Sequence, residues 1–452
     1  MNERELVLDI LIEVLENKKY SHIVLREVLD KHQFEDKKKR AFITRVTEGT
    51  IERKIELDYI INQFSKIKVQ KMKPLIRNLI RSAVYQMMYM DSVPNSAVCN
   101  ESVKIAIKRG FHGLKGFVNG VLRNISRNIE NISFPSKKES VLYYSVKYSV
   151  PEWIIEMWMN AYGENCVEQM CECFLQDSKT TIRVNTSKVT KAELIGILES
   201  EGVVVEQHPY LDYALEISKY DSLYFLDSFQ NGYFQVQDSS SMLVCEVADV
   251  SHGDYVIDVC AAPGGKSIHM ADKLQGTGMV EARDLTDYKV SLIEDNIARN
   301  QMTNMKAIKW DATILDSESI GKADIVLADL PCSGLGIMGK KTDLKYRIQP
   351  EDLETLASLQ KQILKQVVQY LKPGGTLVYS TCTIHKIENQ SNSQYIREEL
   401  GLAGKNIKPY LCEALKSSVS EQGDLQLLPG IHHSDGFYIA AFTKEGGTHE
   451  RH

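Results

Sequence analysis

The sequence predicts a multidomain protein: an N-terminal all-α bundle, a small α+β module, and a C-terminal α/β domain with a mostly parallel, doubly wound sheet. Three observations carry that prediction. At 452 residues the chain exceeds what a single hydrophobic core sustains, since cores stop growing near about 250–300 residues. Its apolar periodicity changes from a helical stripe to short apolar runs alternating with helices. Its charge is also uneven. Residues 1–130 carry a net +8 and the remainder a net −14, beneath an overall −6. With 43% hydrophobic and 25% charged residues, the composition excludes extensive disorder.

Residues 1–130 read as helix throughout. Leu75, Ile76, Leu79, Ile80, Ala83, Val84, Met87 and Met88 paint one apolar stripe on a helix that starts after Pro74. Val103, Ala106 and Ile107, then Leu114, Phe117, Val118, Val121 and Leu122, repeat the pattern around a break at Gly110. Basic residues cluster at Lys37–Arg40, Lys66, Lys68, Lys71, Lys73, Arg77 and Lys108–Arg109. Charge runs are often only solvated faces, but the excess here singles out this region for contact with a polyanion.

Residues 131–145, with Pro135-Ser136-Lys137-Lys138, read as a linker, and 146–235 as the small α+β module. Trp153–Tyr162 and Lys191–Glu201 are helical. Thr181–Asn185, Val203–Val205 and Tyr213–Ile217 are strand-like. Cys166, Cys171 and Cys173 lack a nearby His and read as helix packing rather than metal ligands; no metal site is expected. The nine cysteines, an odd number spread along the chain, do not form a secreted disulfide framework. Neither a membrane span nor a signal peptide is present, so a cytoplasmic protein is expected.

From 236 to 445, apolar runs at Tyr255–Val259, Gly278–Ala282, Ala307–Ile308, Asp324–Ala328 and Thr376–Ser380 each lead to a helix or turn. This is the pattern of a sheet covered on both faces. The first run opens into Asp258-Val-Cys-Ala-Ala-Pro-Gly-Gly-Lys-Ser267, a strand–loop–helix context suited to a nucleotide-like ligand. A phosphate-binding Walker loop would need glycine where Cys260 stands, and a dinucleotide fingerprint needs a spacing that Gly264-Gly265 does not supply. A loop for S-adenosyl-L-methionine, built from Cys260, Ala261, Ala262, Pro263, Gly264, Gly265 and Lys266, tolerates one glycine pair. Asp284, at the next strand end, is placed to accept ribose hydroxyls, and Asp311, at a further strand end, the adenine amino group.

Asp329-Leu-Pro-Cys332 and Ser380-Thr-Cys382-Thr383 end two successive strands. Successive strands are usually neighbours about 4.8 Å apart, which would bring both thiols to one crevice beside the glycine loop. A nitrogen or oxygen acceptor would not need a thiol. C5 of a pyrimidine does, because addition of a thiolate to C6 makes C5 able to attack a methyl donor. Asp329 would hydrogen-bond the pyrimidine edge, and the Lys266 cation could lower a cysteine pKa. These residues do not by themselves rank the two cysteines.

With these motifs the chain resembles the RNA 5-methylcytosine methyltransferases, in particular the bacterial small-subunit (16S) ribosomal RNA methyltransferase B family (Fmu/Sun). Phe234-Gln-Val-Gln-Asp-Ser-Ser240 is similar to the opening of that family's methyltransferase domain, and 1–130 to its NusB-like helical RNA-binding domain. Tyr346 stands where many relatives carry Trp, in a loop placed near the RNA, and Leu330 replaces a smaller residue. The resemblance implies Cys382 as nucleophile and Cys332 as assisting product release. It further implies S-adenosyl-L-methionine as cofactor and 16S ribosomal RNA, free or partly assembled, as substrate of a monomeric enzyme. The alternatives are the same chemistry on transfer RNA, or a non-catalytic RNA-binding assembly factor.

Overall fold

The computed structural model describes residues 2–31, 37–176 and 179–445. It divides into two compact units, Met1–Leu175 with Met338–Ile348, and Gln176–Ile337 with Gln349–His452.

In the first unit ten α-helices are described: α1 (Glu3–Leu15), α2 (Ser21–Lys31), α3 (Lys37–Glu52), α4 (Lys54–Phe64), α5 (Pro74–Tyr89), α6 (Asn95–Lys108), α7 (Lys115–Arg127), α8 (Ser140–Tyr148), α9 (Glu152–Tyr162) and α10 (Glu164–Phe174). Asn2 and Glu5 form a capping box on α1, and Pro74 occupies the first turn of α5, where its missing N–H costs nothing. The apolar stripe read on α5 is buried from Ile76 to Met87 among residues of α1, α3, α4, α6 and α7.

The stretch 131–145, read from the sequence as a linker, is not one throughout. Lys137–Glu139 form a 3-10 turn, capped by a capping box of Ser136 and Glu139, and α8 begins directly after it at Ser140. Its apolar residues and those of α9 and α10 pack within the helical unit, so local proline and lysine content misled the boundary.

Met338–Ile348 also belongs to this unit. Asp343 Oδ1 accepts from Ser21 Oγ at the start of α2 (2.6 Å), and the half-buried Tyr346 donates to the carbonyls of Glu52 (3.0 Å) and Ser149 (3.1 Å). Tyr346 is therefore an anchor in the helical unit.

The second unit holds two sheets. In the smaller, β1 (Thr180–Val184), β2 (Val204–Gln207), β3 (Ala214–Ser218) and β4 (Phe234–Val236) run antiparallel in the order β2-β3-β1-β4. The helix Lys191–Ser200 packs its Leu194 and Leu198 onto Ile182, Val184, Leu215 and Ile217.

The larger sheet comprises β5 (Tyr255–Asp258), β6 (Met279–Asp284), β7 (Met305–Lys309), β8 (Ala323–Asp329), β9 (Leu371–Thr381), β10 (Ala403–Gly404), β11 (Leu425–Leu427) and β12 (Phe437–Thr443). Its order is β10-β12-β9-β8-β5-β6-β7, with β11 beside β12. β5 to β9 are parallel and β12 is antiparallel to β9. Two apolar clusters cover its faces, as the continuous apolar runs required.

The smaller sheet is joined to the helix Gly265–Lys273, which packs on the larger sheet, by a buried ion pair. Arg183 of β1 donates to Asp272 at 2.9 Å, and Asp272 also accepts from the Thr186 and Ser187 amides (3.1 and 3.0 Å). Among the described residues, no helix is long and apolar enough to cross a membrane.

Candidate active site

Strand order reverses at β5, which has β6 on one side and β8 on the other. Crevices at the carboxyl ends of parallel strands open at such a switch point. The loop Val259–Gly264 leaves β5 there and enters the helix Gly265–Lys273. Gly264 is held at φ +102°, a conformation that disfavours any side chain. An added Cβ at Gly265 would meet nothing within 4 Å, so the backbone at the helix start is open to close approach. Ala262–Pro263 is a cis peptide. The half-buried Cys260 has its thiol pushed well up, by burial first and then by Asp284 and Asp258, which makes it a poor nucleophile.

Asp284 ends β6. Its oxygens accept from the amides of Ala262 (3.0 Å) and Leu285 (2.7 Å), with Lys289 Nζ at 3.0 Å. The glycine loop and this carboxylate are thus fixed to each other. β7 pairs with β6 in register, and the Trp310 amide donates to Asp284 O at 2.9 Å, placing Asp311 just beyond the adjacent strand end. Asp311 Oδ1 accepts from the amide and hydroxyl of Thr313 (2.9 and 2.6 Å), an ordinary turn contact. An acceptor-only carboxylate beside open glycine backbone fits a ligand that presents ribose hydroxyls.

β8 and β9 are parallel neighbours with Asp329 opposite Ser380. That register brings the following loops together: Cys332 Sγ and Cys382 Sγ lie 3.4 Å apart, both half-buried. Asp329 Oδ1 accepts from Ser380 Oγ (2.8 Å) and Oδ2 from Lys266 Nζ (2.7 Å). Lys266 is no surface helix-start lysine. Its side chain is only 13% exposed and its ammonium lies 5.3 Å from the centre of the Phe437 ring. Burial opposes its charge, but Asp329 outweighs that and holds its pKa above the usual lysine value, with Cys382 contributing.

The two thiols have unlike surroundings. Its hydrogen bond with Cys382, then burial, then the nearby acidic groups hold the Cys332 thiol well above its ordinary pKa. A thiolate at Cys332 is therefore disfavoured, and Cys382 adds to what holds the Lys266 charge.

The sequence reading gave no role to Ser333 and Thr383 of the two motifs and missed Gln360, Glu388 and Asn389 behind these loops. Ser333, Gln360, Thr383, Glu388 and Asn389 are buried and hydrogen-bonded to one another or to the loop backbone. Only the buried, cation-poor position of Glu388 marks it, and a linear sequence does not display burial. Gly336 and Gly436 also meet here: the Gly436 amide donates to Gly336 O (2.9 Å), and a Cβ on Gly336 would fall 1.9 Å from Gly436 O. Elsewhere in this unit His208, Glu216 and His433 cluster. His208 Nδ1 accepts from the Tyr210 amide (3.2 Å), which puts its proton on Nε2, while His433 and Glu216 bond to each other. The trio is a hydrogen-bonded brace between small module and large sheet.

Three family models match the chain. The one described as 16S rRNA methyltransferase RsmB/F covers residues 246–443, the NusB family 1–127, and an RsmF/B-like ferredoxin-like domain 150–222. The chain is 37% identical over 450 residues to the probable ribosomal RNA small subunit methyltransferase B of Bacillus subtilis (strain 168), covering 98% of this chain and 99% of that protein. To the Synechocystis protein of the same description it is 30% identical over 447 residues, with 98% and 100% covered. A solved structure, that of PH0851, superposes with a TM-score of 0.82 at 25% identity, covering 98% of this chain and 99% of the other.

Proposed function

This chain belongs to the family of ribosomal RNA small subunit methyltransferase B proteins, and on that premise we propose that it methylates C5 of a cytosine in 16S ribosomal RNA through a covalent cysteine adduct. The cofactor is S-adenosyl-L-methionine, which when bound supplies an electrophilic sulfonium methyl. Cys260 to Lys266 and Asp284 would hold it, with Asp311 at the adenine end. Asp329 would bond the edge of an extruded or unpaired base, with Lys266 fixing its orientation.

The observation that carries the reading is the pair of thiols 3.4 Å apart beside the Asp329–Lys266 ion pair. Cys382 adds to C6, C5 becomes nucleophilic and takes the methyl, the C5 proton leaves to a base, and elimination frees Cys382. Cys332 assists that release. Its hydrogen bond with Cys382 and burial hold the Cys332 thiol above its ordinary range, which counts against it as the attacking group. The order of roles is the one the family resemblance implies.

Cys332→Ala is expected to accumulate a protein–RNA adduct that survives a denaturing gel, with 5-methylcytosine located in the RNA by bisulfite sequencing. Trapping by Cys382→Ala instead would exchange the two roles, and a methylated nucleoside other than 5-methylcytosine would overturn the reading.

A further inference from the structure

Behind the cysteine loops lies a carboxylate that methyl transfer does not use. Glu388 is 0% exposed, and among the described residues no lysine or arginine pairs with it. His385, 3.9 Å away, has its own charge suppressed by burial. Burying a carboxylate without a cation is unfavourable unless hydrogen bonds hold it. Here three donors do. Glu388 Oε2 accepts from the Ser333 amide (2.9 Å) and Gln360 Nε2 (3.2 Å), and Oε1 from Ser333 Oγ.

These contacts reach both loops. Gln360 Nε2 also donates to Pro331 O (2.8 Å), so Cys332 is pinned on either side, at Pro331 and at Ser333. Ser333 Oγ meets Thr383 Oγ1 at 2.6 Å, which ties the first loop to the residue after Cys382. The neighbouring Asn389 accepts from Thr381 Oγ1 (2.6 Å) and donates to Thr383 O (3.0 Å), pinning Cys382 on either side as well.

We propose that Glu388 is a positioning residue that fixes the Pro331–Ser333 loop against the Thr381–Thr383 loop, keeping Cys332 and Cys382 at contact distance while the adduct forms and collapses. The proposal rests on the two-cysteine mechanism above. Glutamine at this position would preserve the connectivity: its oxygen can accept from the Ser333 amide and Gln360, while its NH2 donates to Ser333 Oγ, whose proton then turns to Thr383. Alanine removes all three hydrogen bonds to the Glu388 side chain.

The direct test is the rate at which diamide oxidises Cys332 and Cys382 of the full-length protein to a disulfide, read by peptide mass spectrometry. It requires neither RNA nor donor. Wild type and E388Q are expected to cross-link at similar rates, and E388A at least about tenfold more slowly, since proximity of the reacting atoms sets the rate. In steady-state methylation E388A should lose kcat by about 100-fold while KM for RNA and donor stays within about twofold, and E388Q should recover most of that loss. E388A cross-linking at the wild-type rate, or losing activity through KM alone, overturns the proposal. If circular dichroism shows E388A to be unfolded, S333A takes its place: slower cross-linking than E388Q supports the role, and a wild-type rate overturns it. Absence of the Cys332→Ala adduct would sink the cytosine mechanism, and the RNA-free cross-linking comparison would still decide the role of Glu388.

Discussion

In the helical unit the ionic contacts close on themselves and leave a fringe of lysines outside. Arg81 donates twice to Asp58 (2.6 and 2.7 Å), Arg77 pairs with Glu16, and Lys108 and Arg109 reach Glu5 and Asp9. Lys66, Lys68, Lys71 and Lys73 are exposed and, among the described residues, form no ion pair. In the methyltransferase crevice the arrangement is inverted. Lys266 turns inward to Asp329, and Asp284 is braced by two amides at a strand end. Outward, unpaired cations suit phosphates at low positional cost, whereas inward, hydrogen-bonded charges suit atoms that must be placed to fractions of an ångström. The difference teaches that the +8 read from residues 1–130 overstates the charge available to RNA. Arg77, Lys108 and Arg109 are already engaged in the fold.

The comparison breaks first at the nucleophile. Cys382→Ala is expected to cut methyl transfer by about 10⁴-fold or more, as nucleophile deletions do in other covalent enzymes, with donor binding by calorimetry retained. Substantial turnover by that variant would remove the distinction between placed and merely available groups.

A second effect tests the joint within the catalytic unit. Arg183→Ala leaves Asp272 buried without its cation and should destabilise that unit by about 3–5 kcal/mol, visible in urea denaturation. An unchanged midpoint would mean that the Thr186 and Ser187 donors suffice.

Replacing Lys66, Lys68, Lys71 and Lys73 together by Ala should raise KM for RNA and leave kcat in place. The salt dependence of binding should shallow by about 0.7 in log–log slope for each phosphate that a lysine no longer neutralises. A fall in kcat with unchanged salt slope would place the RNA elsewhere.

The smallest effect concerns Lys345, which is buried in the helical unit and donates to Glu52 O at 2.9 Å. Burial pushes its pKa from 10.5 down to about 8. Between those values the unfolded chain holds the proton that the folded unit has released, so stability rises with pH there, and below about 8 the folded unit carries the full cost of the buried charge. Melting temperatures across pH 8 to 10 should rise more steeply in the wild type than in Lys345→Met, the rise left in the variant coming from Lys54, whose pKa burial also lowers to about 8.

Much of the molecule was legible in one dimension. Pro74 and the apolar stripe behind it marked α5, and the apolar runs marked β5 to β9 because a sheet covered on both faces leaves little room for polar residues. The glycine loop, Asp284, Asp329 and both cysteines were legible because loops at strand ends carry chemistry-bearing side chains in recognisable strings. Residues 131–145 were misread because proline and lysine content is local, whereas the packing that orders α8 is not. Nothing in the neighbours of Tyr346 reveals that Met338–Ile348 packs into the helical unit, so the sequence reading placed it only in a loop.

By itself, then, the sequence determined element types, their order and the inventory of reactive groups, since periodicity and short motifs are properties of neighbouring residues. Only the tertiary structure decided which of those groups meet. The 3.4 Å between Cys332 and Cys382 depends on the β8–β9 register. The surroundings of the two thiols depend on a lysine in the first turn of the helix after β5, and their bracketing on a glutamate beyond β9. Distance, burial and shared protons arise between residues far apart along the chain, and no local pattern encodes them.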